Sequence, residues 1–307
     1  MSHRHYEIVA HSDLGNLASR IYDLTAACFA TYPGVIHPTE AHRAWYVRRP
    51  GMDAALSSAA LFGDEIVSSV FITRGLMRLG GALVPVGMVD TVMTHPAHRR
   101  RGLASAVLSR AILGMKSEGL AAASLSTLLH SMPYRFYESL GFRLVTPMDY
   151  YQRLQPARAS MGSRAEMLPP KADGEALAFL NAHFAQDEGY IPYDEALWRW
   201  RKRERPAELP AEHRFVCNAK GGLSAFASLC RAPIVTQGGP QRVTILTDLA
   251  LPSSSEEAPE ALEALLASIP ARQNVGVLVA RCNEDEARVL GAQGFQVVHT
   301  EAAMILP

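Results

Sequence analysis

The residues best suited to chemistry lie in one run, His95-Pro96-Ala97-His98-Arg99-Arg100-Arg101-Gly102-Leu103-Ala104-Ser105. A strand-like segment, Val86 to Met93, leads into it, and an apolar helix, Ser105 to Met115, leaves it. Such a junction offers unpaired backbone N–H groups and the positive end of a helix dipole, which suits a phosphate group. Gly102 lets a ligand approach the backbone with no Cβ in the way. Ala104 and Ser105 keep the first helical turn small. Arg99, Arg100 and Arg101 add positive charge where an anion would sit. The plain alternative is a solvated basic corner at the start of an ordinary helix, which is what charge runs usually are.

A second run follows about thirty residues on: Tyr134-Arg135-Phe136-Tyr137-Glu138-Ser139-Leu140-Gly141-Phe142. Between the two lie a helix, Ser105 to Glu118, closed by Gly119, and an Ala/Leu-rich strand, Leu120 to Leu128. In spacing, Pro96-x-x-Arg99-x-x-Gly102-x-Ala104 resembles the pyrophosphate loop of the GCN5-related N-acetyltransferases (GNAT superfamily). The second run resembles that family's aromatic-Tyr-Glu-x-x-Gly-Phe signature. The order and the intervening elements also match, which is the context a motif needs.

The resemblance implies acetyl-CoA as cosubstrate, with its pyrophosphate on Arg99 to Ser105. It also implies that the backbone of Val92, Met93 and Thr94 pairs with the pantetheine arm like an added strand. Thr94 stands where the family often has Val. His130 stands where many relatives carry an Asn that touches the cofactor arm, and Pro133 replaces a frequent Ala. Tyr137 takes the place of the general acid.

The side chains themselves allow this chemistry and leave alternatives open. A phenol at Tyr137 can donate a proton to a departing thiolate; it can equally be one core aromatic among Tyr134, Phe136 and Phe142. The imidazole of His130 can donate a hydrogen bond, act as a base near neutral pH, or serve structure alone. Asp90, on the strand feeding the loop, is the carboxylate placed to face an acceptor cleft, because alternation turns Val89 and Thr91 the other way. It can also merely orient a nearby loop.

Composition bounds the rest. A chain of 307 residues, 48% hydrophobic and 20% charged, suggests two globular domains. Thirty basic residues balance thirty acidic ones, so nothing argues for nucleic acid as the main partner. The basic and aromatic run Arg199 to Arg205 reads as a solvated face plus interdomain packing. Cys28, Cys217, Cys230 and Cys282 are scattered, with no zinc spacing, and are expected to be buried free thiols; no metal is expected. The N-terminus lacks the apolar core of a signal peptide, and no window approaches the roughly eighteen apolar residues of a membrane span. The cytoplasm is the expected location, with no membrane partner, and self-association is left open.

The elements that must position the site follow from pattern. Tyr6 to Ala10 reads as a strand and Leu14 to Ala30 as a helix, with Leu14, Leu17, Ile21, Leu24 and Cys28 on one side. Tyr32-Pro33-Gly34 breaks it, and His37 to Val47, with Pro38 and Glu40 early, reads as a second helix. Ala59 to Gly63 and Glu65 to Leu76 form a hairpin, Val84 to Thr94 is the strand before the loop, and Leu144 to Leu154 could close the sheet. Pro156 to Lys171 reads as a linker.

The second half repeats this pattern with helices over Gly174 to Asp187 and Asp194 to Arg203, then a hairpin, a central strand Val243 to Leu251, a helix, a strand and a Gly294-Phe295 tail. There, Leu251 leads into Pro252-Ser253-Ser254-Ser255-Glu256-Glu257, with no arginine or glycine and with two carboxylates where a pyrophosphate would sit. Leu290 stands at the place of Tyr137.

The expected fold class is therefore α/β (α+β): two tandem GNAT-like domains, each a mixed, mostly antiparallel sheet flanked by helices. Residues 1–155 form the catalytic domain, 156–171 a linker and 172–307 a degenerate copy. The tandem pair resembles the enhanced-intracellular-survival type, whose sterol-carrier-like third domain has no room here. The expected activity is transfer of an acetyl group from acetyl-CoA to a primary amine on a small molecule or peptide, the second half shaping the acceptor cleft. The alternative is a non-catalytic acyl-CoA-binding or regulatory module.

Overall fold

A computed structural model describes residues 5–30, 34–37, 39–155, 165–236, 239–254, 256–280 and 283–307. Tyr32 and Pro33 of the expected helix break, Pro38, residues 156–164 of the expected linker, Ser255 and Cys282 lie outside the described residues.

The first half runs β1 (Tyr6–Ala10), α1 (Leu17–Phe29), α2 (Glu40–Tyr46), β2 (Ser58–Phe62), β3 (Glu65–Leu79), β4 (Ala82–Thr94), α3 (Leu103–Ser117), β5 (Ala122–Leu128), α4 (Met132–Ser139) and β6 (Arg143–Leu154). The second half continues with β7 (Glu166–Met167), α5 (Asp173–His183), α6 (Glu195–Trp198), β8 (Ala211–Cys217), β9 (Leu223–Thr236), β10 (Gly239–Ala250), α7 (Glu257–Leu266), β11 (Asn274–Ala280), α8 (Glu284–Ala292) and β12 (Gln296–Leu306). The helix expected over Asp194 to Arg203 is split: after α6 the chain winds on as a π-helix over Arg199–Arg203.

All strands join one twelve-stranded sheet in the order β1-β2-β3-β4-β5-β12-β6-β11-β10-β9-β8-β7. Most pairs are antiparallel; β4–β5 and β10–β11 are parallel. The strand expected to close the first half's sheet does not pair with β5. Instead β12 inserts there, with Glu301 opposite Leu128, while β6 passes to β11, with Asn274 opposite Leu154. Each half's last strand thus completes the ladder of the other half. Local alternation marks a strand but not its neighbour, so this exchange is invisible in sequence.

Helices cover both faces. In the first half, Val107, Leu108, Ala111 and Met115 of α3 pack with Tyr134, Tyr137 and Phe142 on one face, while Ile21 and Leu24 of α1 pack with Phe71 and Met93 on the other. Gly87 permits the close approach of α3 to β4, since a Cβ there would fall 2.0 Å from Met115 Sδ. The second half uses α7 and α8 on one face and α5 and α6 on the other.

The halves also meet across the sheet. Trp45 and Trp200 stack at 4.1 Å and 8°, and each indole N–H donates to the other's backbone carbonyl (3.3 and 3.2 Å). The loop after α1 pairs with β9, Gly34 N–H to Val235 C=O at 2.9 Å. The loop after α5 pairs with β3, Arg78 N–H to Tyr190 C=O at 2.9 Å. Trp200 therefore packs between the halves, whereas Lys202 of the same run is no part of a solvated face: it is buried against Asp248. Of the cysteines expected to be buried, Cys230 is, Cys28 is half-buried and Cys217 is exposed. Cys217 ends β8 beside the Asn218 turn, where the chain reaches the surface.

Candidate active site

The loop from β4 to α3 is held from outside and left open at its backbone. Arg101 Nη1 donates to the Tyr6 hydroxyl (2.7 Å), which also meets His98 Nδ1 (2.9 Å). Arg100 and Gly102 both have positive φ, 60° and 75°, so the chain folds back just ahead of the helix. Gly102 is the N-cap and supplies no side-chain bond; Ala106 N–H donates to its carbonyl at 2.9 Å. The N–H groups ahead of Ala106 therefore precede the helical ladder and face away from it. Leu103 is buried and anchors the helix, while Ala104 and Ser105 are half-buried. Arg100 and Arg101 are exposed. Arg99 is exposed too, but its Nε donates to the Thr94 carbonyl (3.2 Å), which folds it back over the end of β4.

Next to this loop the sheet splits. β4 and β5 pair only over Val86–Met88 and Ala122–Ser124, then diverge. From Val89 to Thr94 the β5 side of β4 is unpaired, although Met93 and Thr94 still face Ser69 and Ser68 on the β3 side. Met93 buries its side chain and its carbonyl accepts from Ser68 Oγ (2.7 Å) on the β3 side, where Thr94 Oγ1 also meets Ser68 Oγ at 2.9 Å. Val92 is half-buried against the α3 core.

At the mouth of the gap β4 carries a bulge: Phe71 faces Asp90 and Ser69 faces Met93, so Thr91 and Val92 together oppose Val70. Thr91 takes φ 50°. The regular alternation expected around Asp90 is therefore broken, and the bulge, not the pleat, aims these side chains. Thr91 Oγ1 donates to Asp90 Oδ1 (2.8 Å) and lies 3.4 Å from the Tyr46 hydroxyl.

The Asp90 side chain remains 44% exposed. Packing around it nevertheless raises its carboxyl above the usual range, partly countered by the Thr91 hydrogen bonds and by Arg43. Asp90 is thus crowded by protein on one side and open to solvent on the other. Tyr137 is 9% exposed, and its pKa is pushed well up, first by burial and then by the Asp90 carboxylate. The raised pKa keeps the phenol protonated, as a proton donor requires.

His130 sits apart on the turn into α4, exposed, with φ 60° and its ring edge-on to Tyr134 at 5.6 Å. Among the described residues no cluster of His, Cys, Asp and Glu could hold a metal ion.

Sequence reasoning missed the two buried cations beside Asp90. Arg43 and Arg49 are each 7% exposed, and both guanidiniums lie over the Tyr46 ring, at 4.7 and 4.2 Å. Arg43 and Tyr46 are three residues apart on α2 and so share a face, a spacing that could have flagged them.

The second half repeats this frame, with its aspartate and helix start paired within the chain. β10 and β11 pair over Thr244–Leu246 and Val275–Val277, then diverge, and a matching bulge puts Asp248 at φ 56°. There Asp248 forms an ion pair with Lys202, whose side chain is 1% exposed, and accepts from the Tyr193 hydroxyl (2.6 Å). Lys202 Nζ also donates to Ser228 Oγ (2.6 Å). At α7, the Ser254 hydroxyl accepts from the N–H groups of Glu256 and Glu257 (3.3 Å each). Tyr137 C=O accepts from Phe142 N–H, and Leu290 C=O accepts from Phe295 N–H, which puts Leu290 at the place of Tyr137.

Residues 17–145 match the family model described as the acetyltransferase (GNAT) domain. No curated protein matches the chain in sequence. Among solved structures, the chain is similar to Saccharomyces cerevisiae N-myristoyltransferase with bound myristoyl-CoA, with a TM-score of 0.75 at 12% identity over 98% of this chain and 78% of that one. It is also similar to a GCN5-related N-acetyltransferase from Anabaena variabilis, with a TM-score of 0.69 at 13% identity over 98% and 72%. At these identities the likeness is one of fold, and it spans both halves.

Proposed function

From a GNAT acetyltransferase domain over residues 17–145, we propose that this chain moves an acetyl group from acetyl-CoA to a primary amine. The observation that carries this reading is the gap between β4 and β5, with the uncapped start of α3 at one end and Asp90 and Tyr137 at the other. The pyrophosphate would lie on the N–H groups of Arg99 to Ser105, and the pantetheine arm along Val92 to Thr94.

Asp90 takes a proton from the acceptor ammonium. The free amine attacks the thioester carbonyl, the C–N bond forms and the C–S bond breaks. Tyr137 protonates the departing thiolate and recovers a proton from the amide nitrogen through water. His130, out on its turn, takes no part. The halves share one cleft because the loop after α1 pairs with β9, which gives the second half a role beside the acceptor.

Incubation with acetyl-CoA and an amine panel, followed by CoA thiol release, tests the reading. Turnover is expected to fall as pH drops through the raised Asp90 carboxyl, and Asp90→Asn removes that acid limb. Acetyl-CoA binding with no turnover on any amine leaves the non-catalytic module instead. No CoA release and no thermal shift with acetyl-CoA sinks both.

A further inference from the structure

Two cations are buried beside Asp90 with too little to balance them. Arg49 spends Nε on Thr73 Oγ1 (2.7 Å) and Nη1 on the Tyr46 carbonyl (2.9 Å). Among the described residues its Nη2 is buried without a hydrogen-bond partner and stands 4.0 Å from Asp90 Oδ2. Among the same residues Arg43 leaves Nε and Nη1 buried without partners. Among the described residues, Asp90 is the carboxylate that acts on this pair. Burial pulls Arg49 down to about 9, with Arg43 adding repulsion, and pulls Arg43 down to about 10, with Asp90 opposing. Buried guanidinium N–H groups without acceptors are costly, and an anion removes that cost.

The second half shows what a satisfied version looks like. Its buried cation, Lys202, is matched by Asp248, and the other, Arg201, reaches solvent and donates to Tyr193 (3.2 Å). Among the described residues no such relief exists for Arg43 and Arg49. The free Nη2 of Arg49 stands 4.0 Å from the carboxylate that would receive an ammonium, and Arg43 shares the Tyr46 ring with it.

We propose that the acceptor is an amino carboxylate, an amino acid or a molecule ending in one, whose carboxylate binds Arg43 and Arg49 while its amine lies at Asp90. This rests on the acetyltransferase reading for its amine, and on the unpartnered guanidiniums for its carboxylate. A carboxylate a few bonds from the amine spans the 4.0 Å between Arg49 Nη2 and Asp90. An amine lacking it leaves the guanidiniums as they are.

The test uses the full chain and ligand pairs that differ only in the carboxylate: amino acids against their decarboxylated amines. The proposal expects kcat/KM for the best amino acid to exceed that of its amine partner by about a hundredfold, in line with a lost charge-assisted contact at a buried site. Arg43→Gln should raise KM for the amino acid at least tenfold and leave KM for acetyl-CoA unchanged. Equal turnover of amino acid and amine overturns the proposal, as does an equal loss for both on Arg43→Gln.

A binding arm separates this from a failure of catalysis. With CoA present, N-acetyl amino acids should raise the Tm, and N-acetyl derivatives of the decarboxylated amines should not. That pattern without any turnover keeps the carboxylate site and rejects the transferase reading. Equal shifts, or none from any carboxylate, reject the carboxylate site itself.

Discussion

The two halves of the sheet share a frame and differ in who fills it. Both have a bulge on the central strand, a divergence to the next strand, a helix start beyond it and a Gly-Phe turn. In the second half Asp248 is locked by Lys202 and Tyr193, α7 is capped by Ser254, and Leu290 is buried. In the first half Asp90 opens to solvent, α3 has no side-chain cap at Gly102, and a phenol, Tyr137, held protonated by burial, stands where the second half has Leu290. A fold that closes its own polar groups gains stability; one that leaves them open keeps places for ligands.

The sharpest break between the halves should come at the paired aspartates. Asp248→Asn leaves Lys202 buried without its counterion and should cost about 3–5 kcal/mol, read by urea unfolding. Asp248 is held well below the usual carboxylate range, chiefly by Lys202 against the burial penalty. Its contribution is therefore fully present above about pH 4 and is lost as pH falls further, so wild type and variant should converge in acid. Asp90→Asn should instead show chiefly in turnover, which it cuts, since Asp90 is half exposed and stands 4.0 Å from Arg49 rather than in a tight pair.

The tail positions come next. Tyr137→Phe should lower kcat by about a hundredfold or more with acetyl-CoA binding intact. Leu290→Ala should leave kcat alone and cost about 2–5 kcal/mol of stability, because Leu290 is fully buried. The helix starts should differ least in stability: Ser254→Ala costs about 1 kcal/mol and leaves acetyl-CoA binding unchanged.

Much of this contrast is legible in sequence because it is local. The arginine-glycine loop, the missing arginines after Leu251 and the exchange of Tyr137 for Leu290 all sit within short motifs. The boundaries of β1, β5 and β6 follow alternation to within two residues. What escapes reading is long-range or irregular. The bulge at Thr91 adds one residue to a strand apolar on both faces, so no break in pattern announces it. The crossing of β6 and β12 depends on partners some 150 residues apart, as Thr300 donating to Asp149 shows. The roles of Arg43 and Arg49 depend on folding α2 over that bulge.

The central claim, one fold twice with one cofactor site, is tested most directly by calorimetric titration of acetyl-CoA into the full chain and into Gly102→Val. At φ 75° a β-branched residue is strained, and it sets a side chain over the open helix start. One equivalent per chain is predicted for the wild type, with binding lost in a variant that still unfolds cooperatively. Two equivalents, or a single site that survives Gly102→Val, would contradict the account.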